Sequence, residues 1–308
     1  LSDAFLRARH RGPDDEVREY PPLPEPLVVP VYDNHTHMEF ADGDNPLDYR
    51  EQLDRASSVG VRGVVQVGTD LETSRWSAQI AGREPRVLAA VALHPDATAA
   101  LEADGLLDDH LAGIADLLQR PRVRALGETG LDFFRTGEEG RAAQVRSFEA
   151  HIAMAKEHDL ALQIHDREAH AEVLETLRRV GPPARVVFHC FSGDRELAQL
   201  IAESGWYVSF AGTVTFKNAP VLREALEAIP RSRILIETDA PFLAPTPWRG
   251  RPNSSYLIPH TLRLMADHLG TDASMLAAQI SSNTELVYGR WDDQPVDPPT
   301  SPFEMPTA

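Results

Sequence analysis

Short apolar runs and longer amphipathic segments alternate along most of the chain. The runs are VYDNH (31–35), VRGVVQVG (61–68), RVLAAVALH (86–94), RVRALGE (122–128), LALQIH (160–165), ARVVFHC (184–190), WYVSFAG (206–212) and RILIETD (233–239). All eight are brief and rich in Val, Ile or Leu, as strands covered on both faces should be. Between them the apolar period lengthens to that of a helix. Over 138–158, Val145, Phe148, Ile152 and Ala155 fall on one face, and comparable segments cover 46–59, 168–180, 195–204 and 256–269. Eight strands alternating with helices predict an α/β fold, a distorted (β/α)8 TIM-type barrel, with an open doubly wound sheet as the competing arrangement.

The alternation stops at both ends. Residues 1–26 hold Pro13, Pro21, Pro22, Pro24 and Pro26 among charges, and residues 291–308 hold Pro295, Pro298, Pro299, Pro302 and Pro306. Both are predicted to be irregular tails around one domain at 27–290. The full length of 308 residues does not demand a second domain, because α/β barrels reach ~250 residues as one unit.

Composition narrows the setting. Hydrophobic residues are 42% and charged residues 25%, ordinary globular usage, and no apolar run approaches the roughly 18 residues that span a bilayer, so no membrane association is expected. Arg7, Arg9 and Arg11 are mixed with Asp3, Asp14, Asp15 and Glu16, and no apolar segment follows, which argues against a secretory signal. Cys190 is the single cysteine, which excludes an internal disulfide and fits a cytoplasmic location. A net charge of −17 opposes general electrostatic capture of nucleic acid and leaves room only for a local basic pocket. Lys156 and Lys217 are the only lysines, so that pocket would be built mainly of arginine, the better bidentate phosphate ligand.

Barrels of this kind carry their active sites at the C-terminal strand ends. Here strand one ends in His35 and His37, strand three in His94, strand four in Glu128, strand five in His165, strand six in His189 and strand eight in Asp239. Period-two alternation puts Asp33, His35 and His37 on one face, and Glu237 and Asp239 likewise. One strand-end histidine is ordinarily a surface or capped residue. His35, His37, His165 and His189 converging with Glu128 and Asp239 make a metal constellation instead. His94 precedes Pro95 at a turn and is expected to support the site or touch phosphate rather than bind metal. His10, His110, His151, His158, His170, His260 and His268 lack a strand-end position and are expected to be solvated. The donors are too many for one tetrahedral ion and suit two ions about 3.5 to 4 Å apart bridged by a carboxylate, with Glu128 the natural bridge. Imidazole-rich coordination favours Zn, Mn, Fe or Co over Mg, and the identity stays open.

HTH (35–37), GETGLDFFR (127–135), QIHDREA (163–169), FHCFSGD (188–194) and ETDAPFLAP (237–245) resemble, in this order and spacing, the motifs of TatD-type metal-dependent deoxyribonucleases, a branch of the amidohydrolase-like barrels. The resemblance spans roughly residues 30–290. It implies two divalent metal ions, one held by His35, His37, Glu128 and Asp239 and the other by Glu128, His165 and His189. It further implies DNA, preferably single-stranded and attacked from 3′ ends, as the substrate, and a role in DNA repair or degradation. No obligate protein partner is implied. This chain departs from the family at Asp96, where a second histidine is common, and at Asn253, Ser254 and Ser255, where an Asn-Glu-Pro-like run is usual.

Within that reading Asp239 and Glu128 are the catalytic carboxylates, Asp239 orienting the attacking water or taking its proton. Glu237 and Asp33 are expected to support the ligands, with a purely structural carboxylate as the equal alternative for Glu237. Arg167, Lys217, Arg251 and Arg135, with His94, are candidate phosphate contacts, Arg167 foremost. Phe133, Phe134, Phe191 and Trp248 lie beside the motifs and are candidates to stack on bases, although core packing is the stronger expectation for Phe133 and Phe191. Cys190 is expected to be a buried small residue and not a nucleophile. Two other classes compete: a binuclear-metal enzyme acting on a small lactone, amide or aminoacyl ester, favoured by a narrow pocket, and a degenerate binding barrel, which would have lost ligands.

Overall fold

The computed structural model describes residues 5–9, 18–293 and 296. Each apolar run is a strand: β1 (Val31–Thr36), β2 (Val61–Val67), β3 (Val87–Val91), β4 (Val123–Asp132), β5 (Ala161–Arg167), β6 (Val186–Phe188), β7 (Tyr207–Phe210) and β8 (Ile234–Ile236). They pair in parallel and strictly in chain order, so the reversal of strand order that defines a doubly wound sheet is absent. The fold is a (β/α)8 barrel. Its last seam is the distorted one. β8 and β1 share no continuous ladder, and the ring closes at the C-terminal rim, where Asp239 N donates to His35 O at 3.0 Å and His37 N donates to Ala240 O at 2.8 Å.

The predicted helices are present as α1 (Tyr49–Ser58), α5 (Glu138–Glu157), α6 (His170–Val180), α7 (Arg195–Glu203) and α9 (Ile258–His268), the last entered through a single 3-10 turn at Ser255–Leu257. The remaining intervals supply α2 (Leu71–Arg83), α3 (Pro95–Ala103), α4 (Leu107–Leu117), α8 (Pro220–Ala228) and α10 (Ala273–Tyr288). Aspartates start several of them: Asp48, Asp70, Asp194 and Asp272 each accept a hydrogen bond from a first-turn backbone N–H, removing orphan donors that would otherwise cost roughly 1 kcal/mol each.

Two apolar layers explain the continuous hydrophobic runs. Outward strand residues such as Val64, Leu126 and Leu162 pack against helix residues such as Trp76, Phe148 and Leu177. Inward residues Val65, Leu88, Ala125, Val187 and Leu235 fill the barrel with Tyr32 and Tyr288. Above them lies a polar layer: Asn34 Nδ2 donates to Ser209 Oγ and to Ile236 O, both at 2.7 Å, and Gln163 Nε2 donates to Asn34 O and to Tyr288 Oη, both at 2.7 Å. This layer separates the apolar plug from the chemistry at the rim.

The ends depart from the predicted irregular tails. Arg7–Ala8 forms a short strand parallel to Phe40–Ala41. Residues 18–30 have no regular structure but are tied down, since Tyr256 Oη donates to Pro21 O at 2.6 Å and Arg263 Nη2 to Glu25 O at 2.7 Å. Trp291 is buried, stacks on Tyr32 at 4.0 Å between centroids and donates Nε1 to Arg86 O at 3.1 Å. A large aromatic closes the open end of the barrel, which proline content at the terminus did not reveal. The rest of the predicted C-terminal tail beyond Asp293, except Val296, lies outside the described residues, as does 10–17. Among the described residues no helix is long and apolar enough to cross a membrane.

Candidate metal centre

The strand-end residues meet at one rim around Glu128. Glu128 Oε2 lies 3.6 Å from His35 Nε2 and 3.7 Å from His37 Nε2, while Oε1 lies 2.6 Å from His165 Nδ1 and 2.9 Å from His189 Nε2. Asp239 Oδ1 lies 3.5 Å from His37 Nε2 and 3.8 Å from His35 Nε2, and those two imidazole nitrogens are 3.2 Å apart. The two oxygens of one carboxylate therefore face two different sets of imidazoles. An ion bound at ~2.1 Å in tetrahedral geometry separates its ligands by roughly 3.4 Å, close to the spacings among His35, His37, Glu128 and Asp239, whereas His165 and His189 lie at hydrogen-bond distance from Glu128. Three groups of donors fall within 4.8 Å of one another: His35, His189 and Asp239; His35, His37 and Glu128; and His94, Glu128 and His165.

The outer nitrogen of each ring decides what the inner one offers. His37 Nδ1 is 2.9 Å from Val67 O, which can only accept, so Nδ1 carries the proton and Nε2 turns a lone pair inward. His165 Nε2 lies 3.1 Å from Asp132 Oδ2, and His189 Nδ1 lies 3.2 Å from Glu237 Oε1, so each outer nitrogen is held by a carboxylate and the inner one faces Glu128. His94 has the opposite polarity. It caps α3, its Nδ1 accepting from Asp96 N at 3.1 Å, so its proton sits on Nε2, 3.4 Å from Glu128 Oε1 and 3.3 Å from His165 Nδ1. A nitrogen that carries a proton donates and does not ligate. His35 Nδ1 is buried without a hydrogen-bond partner, while its Nε2 faces the centre.

Electrostatics show what the cluster suits. Burial would raise the Glu128 carboxyl, but the charges of His189 and His94 and the hydrogen bonds of His165 and His189 hold it well below the usual carboxylate range. Burial also opposes ionisation of Asp239, and His37, His35 and His189 outweigh it, leaving Asp239 low. Burial pulls His37 and His165 down, yet neighbouring carboxylates push both up to about 9, and His189 is carried well above the ordinary range by Glu128 and Glu237. His35, with burial dominant, is lowered. Buried carboxylates surrounded by imidazoles that reach for protons form a site that calls for cations.

Several expectations change. Simple alternation does not hold in β1, whose register shifts between Asp33 and Thr36. Asp33 does not face the centre: it accepts from Thr238 N at 3.0 Å and Thr238 Oγ1 at 2.5 Å and from His35 N at 3.2 Å, stapling the two rim segments together, and burial pushes its carboxyl up to about 7. Glu237 and Asp239 lie beyond β8, and Asp239 turns into the site through a left-handed backbone with φ of 53°. Of the phosphate candidates, Arg167, Arg135 and His94 line the cavity over the centre. Lys217 and Arg251 do not: Lys217 is exposed outside it, and Arg251 donates to Glu19 O at 3.3 Å because the 249–251 loop packs on the N-terminal segment.

His151 is not solvated. It is fully buried, with Nε2 accepting from Leu93 N at 3.1 Å and Nδ1 donating to Ser147 O at 2.7 Å. His110, His158, His170, His260 and His268 are half-buried, and His10 lies outside the described residues. Phe191 is core and lines the cavity, Phe133 and Trp248 pack against the core, and Phe134 is 58% exposed beneath the Arg167 guanidinium, 4.0 Å away. Asp132, which holds His165, was missed although it lies inside the GETGLDFFR motif. Arg7 was missed because its segment was read as tail.

The cavity measures about 810 Å³. Asp96, the departure from the family pattern, pairs with Arg135 at 2.6 Å on its wall.

The family model for "TatD related DNase" matches residues 32–289. A Mycobacterium tuberculosis protein described as an uncharacterized metal-dependent hydrolase, TatD, is 40% identical over 263 residues, 84% of this chain and 98% of that protein. The Citrobacter rodentium 3′-5′ ssDNA/RNA exonuclease TatD is 34% identical over 248 residues, 79% of this chain and 92% of its own. Among solved structures, the Escherichia coli TatD homolog YJJV superposes with a TM-score of 0.76 at 25% identity, covering 86% of this chain and 100% of that one.

Proposed function

Because the chain belongs to the TatD-related DNase family and is a metal-dependent hydrolase, we propose that it cleaves phosphodiester bonds of single-stranded nucleic acid, DNA foremost, working from 3′ ends. The observation that carries this reading is the polarity of the imidazoles. His37, His165 and His189 spend their outer N–H on Val67 O, Asp132 and Glu237, so the inner nitrogen of each is the one turned to Glu128. In this proposal one divalent ion is held by His35, His37, Glu128 and Asp239, and a second by Glu128, His165 and His189. Bound ions of this kind polarise a phosphoryl oxygen and lower the pKa of a nearby water toward neutrality.

The remaining work falls to the protein. Asp239, partly open to the cavity and held ionised by the histidines, orients the attacking water and accepts its proton. His94 presents its Nε2–H to an oxygen of the substrate or to Glu128, as its capped tautomer requires. Arg135 and Arg167 add positive charge at the mouth of an otherwise acidic protein, and the exposed Phe134 ring beneath Arg167 offers a face for an unpaired base. A cavity of about 810 Å³ leaves room for a nucleotide at the centre.

The deciding assay strips the protein of metal and restores Zn, Mn, Mg, Fe or Co singly, on end-labelled single- and double-stranded oligonucleotides beside a lactone and an amide. Ion-dependent shortening of the single strand from its 3′ end is expected; turnover of the small substrates alone overturns the reading. Asp239→Asn is expected to lower kcat by about 10²- to 10⁴-fold with little change in Tm. Near-normal turnover in that variant would remove Asp239 from the mechanism.

A further inference from the structure

The mouth of the cavity carries a piece of chain that the family match, which begins at residue 32, leaves out. The Mycobacterium relative is aligned over 98% of its own length but 84% of this chain, so this chain carries sequence beyond what that relative matches. In this protein that segment delivers a strand to the rim. Leu6 N and Arg7 N donate to Glu39 O at 3.0 and 3.3 Å, and Arg9 N donates to Ala41 O at 3.0 Å, two residues and four residues beyond His37. Arg9 anchors the strand: Nη1 donates to Asp42 Oδ2 at 3.0 Å and to Pro241 O at 2.7 Å, and its guanidinium lies 5.2 Å from the centre of the Phe242 ring.

Arg7 reaches the other way, into the cavity that His37, His94 and Glu128 also line. Its Nη1 donates to Thr69 Oγ1 at 2.9 Å, its Nη2 pairs with Asp70 Oδ2, and the guanidinium lies 5.8 Å from the Phe40 ring centre. Asp70 is itself fixed, since its other oxygen accepts from Thr73 N at 2.8 Å as the cap of α2. A helix cap thus holds an arginine in one place while 32% of that side chain remains open to solvent. An ion pair so exposed adds little to stability, at most about 1 kcal/mol. What the arrangement does produce is a placed guanidinium on the wall of the cavity that holds the candidate metal centre.

We propose that Arg7 is a substrate-positioning residue that this chain adds to the family site, binding a phosphate that flanks the scissile one in a single-stranded polynucleotide. This rests on the nuclease reading above. Arginine suits the task because its planar fork keeps donors for a phosphate after two of them are spent on Thr69 and Asp70.

The test uses the full chain with Arg7→Ala and Arg7→Lys, metal-loaded, on a single-stranded oligonucleotide and on bis(4-nitrophenyl) phosphate, a diester too small to carry a flanking phosphate. Arg7→Ala should raise the oligonucleotide KM about tenfold with kcat changed less than about twofold, so that the ratio of kcat/KM for oligonucleotide over small diester falls by about tenfold. The slope of log KM against log salt should shrink by about 0.7, the share of one phosphate contact on a single strand. Arg7→Lys should restore part of the KM and most of the salt slope. An unchanged KM and salt slope, or an equal loss on both substrates, overturns the proposal. Wild-type protein that cleaves the small diester and never the oligonucleotide overturns the nuclease reading, and this inference with it; wild-type cleavage of both with an unaffected variant overturns the inference alone.

Discussion

His94 and His37 are both strand-end histidines, and sequence position alone cannot tell them apart. The difference lies in a single proton. Asp96 N donates to one ring and Val67 O accepts from the other, so as neutral rings one presents N–H to the centre and the other a lone pair. The sequence did carry the strand-end clustering that selects both, but not the backbone partner that sets each tautomer. Glu237→Gln keeps the shape and removes the charge that orients His189, and metal affinity measured by calorimetry is expected to fall about 10- to 100-fold. Metal binding should also depend on pH. His37 and His165, pushed up to about 9, hold protons below that value, and these must leave before an ion enters. Affinity should therefore rise from about pH 6 to about pH 9, with proton release visible as buffer-dependent heat; a flat profile would contradict the raised imidazoles. His151 gives the reverse sign. Burial holds it at about 4, below its ordinary 6.5, so the stability it contributes is complete above about pH 6.5 and is lost as pH falls toward 4. The loss is roughly 3 kcal/mol, and His151→Gln should flatten that part of the urea-unfolding profile against pH.

At the scale of elements, the strands were legible because both of their faces are buried, which leaves an apolar run that few other structures produce. Their ends were less so. β8 stops at Ile236, and Glu237 through Asp239 continue as irregular chain, so alternation was the wrong rule for the residues that matter most there. Of the helices not singled out from the sequence, α3 has little amphipathic contrast, and α10 buries small and polar residues such as Ser281, Asn283 and Thr284 alongside its apolar ones. Gly130 in β4 shows how closely neighbouring strands are fitted. It has φ of 143°, and a Cβ there would stand 2.0 Å from His165 O. Gly130→Ala must displace the strand that carries His165, and a cost of about 1 to 3 kcal/mol in unfolding free energy is expected together with weakened metal binding. A variant with normal Tm and normal affinity would show that β5 can move without disturbing the centre.

For the whole molecule, a net charge of −17 opposes the polyanionic substrate proposed above unless arginines are gathered where it binds. Arg7, Arg135 and Arg167 stand at one cavity, and it was the placement, not the total, that the sequence hid. Removing metal should destabilise the entire barrel, because a ligand bound only by the folded state at a hundredfold excess over its Kd adds about 2.7 kcal/mol. A chelator is then expected to lower Tm and its reversal by added metal to restore it; an unshifted Tm would mean that no ion is bound by the folded protein. The seam between the first and last strands carries a further meaning for the life of the chain. Asp239 N and His35 O close the ring with the same residues that furnish its reactive end. A polypeptide halted before residue 239 holds His35, His37, His165 and His189 but neither the closure nor the last carboxylate. The segment that follows the last barrel strand therefore completes the ring and the candidate centre together.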